Sequence, residues 1–200
     1  MDPDARLVAG LWQVVARHGW DGLTMRRVSA ASGVALAELR RRCPTPMHLL
    51  ALHGRVVDAQ VLEGTVPSPG DTPRERLFDV LMRRIDAMQP DRRGILRLMD
   101  EALADPFLAL TLASALPRSM AWMLEAAQIG TNGFAGALRA NGLVGVWLYT
   151  ARAWARDDTE DLGATMAALD RALDRAEQAA RTLGLGPGDH AAGSAAAVPT

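Results

Sequence analysis

From Pro3 to His18 the apolar residues Leu7, Leu11, Val14 and Val15 fall three or four positions apart, the period of one helix face. Gly19 then ends the run, as a glycine does just past a helix. The same period returns in segment after segment. Strand signals are missing: β-branched residues are few, no apolar run alternates, and no Asn-Gly pair joins two such runs. The expected fold class is all-α with about nine helices, a short-helix head followed by a helical-bundle body.

Thr24 is placed as the N-cap of a second helix reaching Ala31, and a third is predicted from Ala35 to Arg41, closed by Pro44. Thr45 and Pro46 open a fourth, which should run to Glu63. The stretch GTVPSPGD, residues 64–71, reads as a linker. Thr72 and Pro73 repeat the cap-then-proline start, and Leu77, Phe78, Leu81, Met82, Ile85 and Met88 share one side of the helix that follows. A further helix is expected over 91–104, and another from Pro106 with a break or kink at Pro117. Two long helices, predicted over 134–156 and 159–183, close the body. In the last, Leu162, Met166, Leu169, Leu173, Ala176, Ala180 and Leu183 alternate spacings of four and three, a seam suited to a second helix of this chain or of another copy. The predicted organisation is therefore a head over 1–63, a linker over 64–71, a body over 72–184 and a disordered tail over 185–200.

Charge separates head from body. Residues 1–60 carry eight arginines against five acids, while the remainder carries fourteen against eighteen, so the head is the half suited to a polyanion. All 22 basic residues are arginine, which fits genomic base composition better than mechanism. Cys43 is the only cysteine, so an internal disulfide or a Cys-rich metal site is excluded. The acidic, polar start is unlike a secretory signal, and no stretch approaches eighteen uncharged apolar residues. A cytoplasmic protein with no membrane span is expected.

Within Gly22–Leu50 lies the pattern of a helix-turn-helix. Ala30 and Ala31 allow close contact, Gly33 permits the turn, and Val28, Val34 and Leu39 can form the wedge between two short helices. The segment resembles the amino-terminal domain of TetR-family transcriptional regulators. There a glycine-valine turn leads to a recognition helix ending Leu-Tyr-x-His-Phe, followed by Ser-Lys and a Leu-Leu pair. Gly33, Val34, Leu39, Pro44, Leu49 and Leu50 match without a gap, and Thr24 stands where the family opens its second helix and touches a phosphate. Arg40 occupies the tyrosine position, Arg42 the histidine, Cys43 the phenylalanine and Pro46 the lysine.

The resemblance implies a duplex-DNA face of Thr24, Arg26, Arg27, Ala35, Glu38, Arg40, Arg41 and Arg42, with Glu38 able to accept from a cytosine amino group. Three consecutive helical residues fan over about 200°, so at most two of the three arginines can share that face. The alternative is that the arginines are a solvated helix end, favoured by the negative pole of the helix dipole.

For the body the family implies a small-molecule pocket, dimerisation through the last two helices, and a ligand that alters the spacing of two heads and so shifts DNA affinity. Met99, Met120, Trp122, Met123, Trp147 and Trp154 are candidates for lining an apolar pocket, or simply core. RERLFDVLMRRIDAM, MAWMLEAAQIGTNG and WARDDTEDLGATMAALDRAL also resemble bacterial relatives of the lipid-binding accessory protein of ubiquinone biosynthesis. That likeness implies a different function: an isoprenoid or lipid carrier with a TetR-like fold and a vestigial head.

Catalytic chemistry finds no support. His18, His48, His53 and His190 are scattered, and a spacing of five does not set His48 and His53 on one helix face, so no metal site is expected. The acid pairs Asp100-Glu101 and Asp157-Asp158 are explained by capping and solvation. There is no GxSxG, phosphate loop or dinucleotide fingerprint, and Ser29 and Ser32 have no nearby base. Neither an enzyme nor a cofactor is expected.

Overall fold

The computed structural model describes residues 2–66 and 70–184. Among them there is no strand, and the helices are α1 (Pro3–His18), α2 (Met25–Ser32), α3 (Leu36–Arg42), α4 (Pro46–Gly64), α5 (Pro73–Met88), α6 (Arg92–Ala104), α7 (Pro106–Ala126), α8 (Gly133–Trp154) and α9 (Gly163–Thr182). A 3-10 turn, Gln89–Asp91, precedes α6. The expected all-α class is what the chain adopts. The centre of the expected linker, 67–69, and the expected disordered tail, 185–200, lie outside the described residues.

By compactness the chain forms two units. One joins the described residues up to Glu63 with Arg84–Ala115, and the other comprises the described parts of 64–83 and 116–200. The head thus closes its core with a segment placed by sequence in the body, and the reason lies in α1. Leu7, Leu11, Val14 and Val15 are buried as the period predicts, but Val8 and Trp12 are buried too, so α1 has two apolar faces. It packs against α2 and against α6. A glycine allows each approach: a Cβ on Gly10 would lie 2.9 Å from Ser32 Cβ, and one on Gly94 of α6 would lie 2.7 Å from the Trp12 carbonyl oxygen.

Polar groups fix the same unit. Glu101 of α6 accepts the Trp20 amide at 2.6 Å, just beyond the end of α1, and so acts inside the fold rather than in a solvated helix end. His53 of α4 accepts the Trp12 indole N–H on Nδ1 at 3.1 Å, and burial, with Arg84 nearby, pushes its pKa down to about 3. Arg84 of α5 pairs with Asp58 of α4 at 2.5 Å, with side chains only 7% and 14% exposed. Arg84 sits among the apolar positions of α5, so periodicity points to its burial but not to its partner on another helix.

In the second unit α8 and α9 pack along one another. Leu143, Val146, Trp147, Thr150 and Trp154 of α8 and Thr165, Ala168, Leu169, Ala172 and Leu173 of α9 are buried. The predicted seam of α9 is rotated in part: Leu162, Leu169 and Leu173 are buried, whereas Met166 and Leu183 are exposed. Arg74 of α5 spans Asp170 and Asp174 of α9 at 2.6 and 2.7 Å. The start of α5 is a capping box, with the Thr72 amide donating to Glu75 and the Glu75 amide to the Thr72 hydroxyl.

Several boundaries differ from expectation. α8 ends at Trp154 rather than 156, and α9 begins at Gly163 rather than Thr159. Asp157 is the cause of the late start. Its buried carboxylate accepts the Thr159 hydroxyl at 2.6 Å and the Thr165 amide and hydroxyl at 2.7 and 2.8 Å, which holds 157–162 in a loop ahead of the helix. α7 runs through Pro117 without the expected break. A proline removes one amide donor, and the apolar, helix-favouring residues on both sides carry the helix past that single loss. By length and composition α7 could cross a membrane, and only 22% of its apolar window is buried.

Gly94→Ala should lower stability by about 1–3 kcal/mol, because the added methyl meets backbone that cannot swing away; the midpoint of urea unfolding measures it. The Thr159 and Thr165 bonds lower the Asp157 pKa to about 2. Its contribution to stability is therefore complete above the ordinary value near 3.8 and is lost as pH falls from there through about 2. Asp157→Asn should be less stable at neutral pH and should lack that part of the acid response in urea midpoints taken across the window.

Candidate nucleic-acid interface

The head presents two short helices joined by a tight turn. Thr24, in extended geometry, caps α2 by accepting the Arg27 amide at 3.3 Å. Gly33 ends α2 with φ of 65°, a left-handed conformation that favours glycine. The turn is held from both sides: Ser29 Oγ donates to the Val34 carbonyl at 2.6 Å, and the Val34 amide donates to Ser32 Oγ at 3.2 Å. Arg6 of α1 donates to the Ser32 and Gly33 carbonyls at 3.1 and 2.7 Å. The two serines are structural, and Arg6 is a turn-holding residue that periodicity did not single out. Val28, Val34 and Leu39 are buried between the helices, as the wedge requires.

That wedge turns one side of α3 outward. Successive side chains step about 100° around a helix, which sets Ala37 and Arg41 opposite buried Leu39 and leaves Leu36 and Arg40 on the flank beside it. All four are exposed, as are Ala35, Thr24, Arg26 and Arg27. Arg42, the third of the run, turns back: it pairs with Glu38 at 2.5 Å and with Asp4 of α1 at 2.9 Å. Glu38, expected to offer its carboxylate to a base, is instead bonded to Arg42 and Arg41, and these bonds hold its pKa below the usual carboxylate range. Arg27 donates to the Gly22 carbonyl at 2.5 Å, bracing the loop before α2. Arg26 and Arg40 have no acidic partner among the described residues.

Of the expected face, then, Thr24, Arg26, Arg27, Ala35, Arg40 and Arg41 are each exposed, whereas Glu38 and Arg42 are tied into the head. Leu36 was missed. An apolar residue between two alanines reads as core in a sequence, yet it is 46% exposed. It borders a cleft of about 400 Å³ lined by Met25, Leu36, Ala37, Leu39, Arg40 and Pro44. A second cleft of similar volume lies at Gln13, Arg17, His18, Arg27 and Ala31.

The candidate ligand residues are scattered. Met120, Met123, Trp147 and Trp154 are buried in the second unit, Met99 is half-buried in the first, and Trp122, expected inside, is 52% exposed. None of the six lines either cleft. Among the described residues there is no group of three or more His, Cys, Asp or Glu able to hold a metal ion.

No protein-family model and no curated protein matches the chain by sequence. Solved structures match it by fold. The TetR transcriptional regulator from Nitrosomonas europaea superposes with a TM-score of 0.68 at 20% identity, covering 88% of this chain and 98% of that one. A TetR transcriptional regulator from a Rhodococcus species gives a TM-score of 0.60 at 18% identity, covering 87% and 94%. The chain therefore has a TetR-like fold. The likeness of its body to the ubiquinone-biosynthesis accessory protein finds no counterpart in these comparisons.

Cys43, standing where the resemblance calls for a core phenylalanine, is buried beyond α3, with its amide donating to the Leu39 carbonyl at 2.8 Å. Burial raises its thiol pKa. Iodoacetamide in mildly alkaline buffer should therefore alkylate the native chain at least about tenfold more slowly than the urea-unfolded chain. Equal rates would show that the site opens freely.

Proposed function

We propose that this chain is a TetR-type transcriptional regulator that binds duplex DNA through α2 and α3 as a pair of identical copies and responds to an apolar ligand. The observation that carries the DNA reading is the division of charge on α3. Its acid, Glu38, is occupied by Arg41 and Arg42, while Arg40 on the outward side, and Arg26 of α2 beside Thr24, have no acidic partner among the described residues. Cations left without partners around an exposed helix surface suit phosphates. The exposed Arg41–Glu38 pair is readily exchanged for such a contact, because surface ion pairs are weak and screened by salt.

Pairing is supported by α8. Its buried side faces α9, while Phe134, Leu138, Leu148 and Tyr149 form an exposed apolar stripe along the other side. Gly142 and Gly145 leave open space beside that stripe, which allows a second helix to approach closely. Two heads related by a two-fold axis can meet two successive major grooves. For the ligand, Met120, Met123, Trp147 and Trp154 are all buried in the second unit, and thioethers and flat rings are side chains that adapt to an apolar molecule. A ligand binding one arrangement of the pair better than another would shift DNA affinity.

The intact chain should bind a duplex selected from a random pool, with affinity falling steeply as salt rises. Arg26→Ala with Arg40→Ala should weaken binding and reduce the slope of log affinity against log salt by about one for each phosphate no longer neutralised. No duplex binding in dilute buffer would overturn the DNA reading, and a monomeric mass in solution would overturn the pairing.

A further inference from the structure

The outward side of α3 is not uniformly polar. Leu36 lies 46% exposed in its first turn, between exposed Ala35 and Ala37, and borders the cleft of about 400 Å³ shared with Met25, Arg40 and Pro44. A leucine left in water at this position forfeits the burial that stabilises apolar groups elsewhere in the head, so its surroundings point to a partner. Arg40 lines the cleft itself, and Arg26 and Arg41, next in the chain to lining residues Met25 and Arg40, are exposed, which favours a polyanion over an apolar protein surface. In the major groove of duplex DNA the base edges offer one apolar group, the C5 methyl of thymine. We propose that Leu36, with Met25 and Ala37 beside it, takes thymine methyl groups into this cleft, making Leu36 a specificity-determining residue and thymine a required base in each half-site.

This inference rests on the DNA reading above, and the two can fail separately. Duplexes are selected from a random pool with the intact chain, and each thymine of the selected site is then replaced singly by deoxyuridine. That change removes only the methyl and leaves base pairing intact. At one or two positions per half-site affinity should fall about three- to fivefold, the value of burying one methyl group. Leu36→Ala should bind the thymine and uracil duplexes alike. A selected site that accepts uracil everywhere, or a Leu36→Ala variant that still discriminates, would overturn the methyl reading and leave the DNA reading standing. Failure to enrich any duplex would overturn both.

Discussion

A helix of seven residues does not hold its shape alone in water, because nucleating its first turn costs more than its few backbone bonds return. The direction of α3, and with it everything offered to a partner, depends on burial of Leu39 and on the turn at Gly33. Both rest on α1. Arg6 satisfies the turn carbonyls, Gly10 lets α2 approach within van der Waals contact, and the opposite face of α1 is covered by α6 through Gly94. The exposed surface of α2 and α3 is thus supported from behind by α1.

Periodicity made the fold legible because core helices must repeat every three to four residues. The starts of α1, α4 and α5, the cap at Thr24 and the glycine turn are local signals, and each appears where those signals place it. What the sequence concealed depends on tertiary contact. Trp12 lies one turn from Val8 on a second face of α1, and only α6 reveals that this face is core. Asp157 looked like a solvated acid, yet its bonds to Thr165 across eight positions delay α9. Arg84 lies on the buried side of α5, and its partner Asp58 stands on another helix, which no local pattern names.

The candidate interface was only partly legible for the same reason. The run of three arginines announced charge, and helix geometry required that the three diverge. Which one turned away was decided by Asp4, thirty-eight positions earlier, and by Glu38. Leu36 escaped notice because an apolar residue in a helix is read as core unless the wedge that buries its neighbour is known. Leu39, three positions on, fills that wedge, while Leu36, one turn nearer the start of the helix, is left at its exposed edge.

The departures from the family pattern also share one physical logic. A tyrosine or a histidine at the end of a recognition helix offers one or two directional donors, whereas a guanidinium offers several and remains charged at any physiological pH. With Arg40 in the tyrosine position and Arg42 in the histidine position, the first faces outward and the second is spent on Glu38 and Asp4. Arg42 thereby anchors the end of α3 to α1 as Cys43 fills the buried position with less volume than an aromatic ring. An ion pair at the surface of the joint and a small thiol within it therefore hold the end of α3, at the positions where the resemblance calls for aromatic side chains.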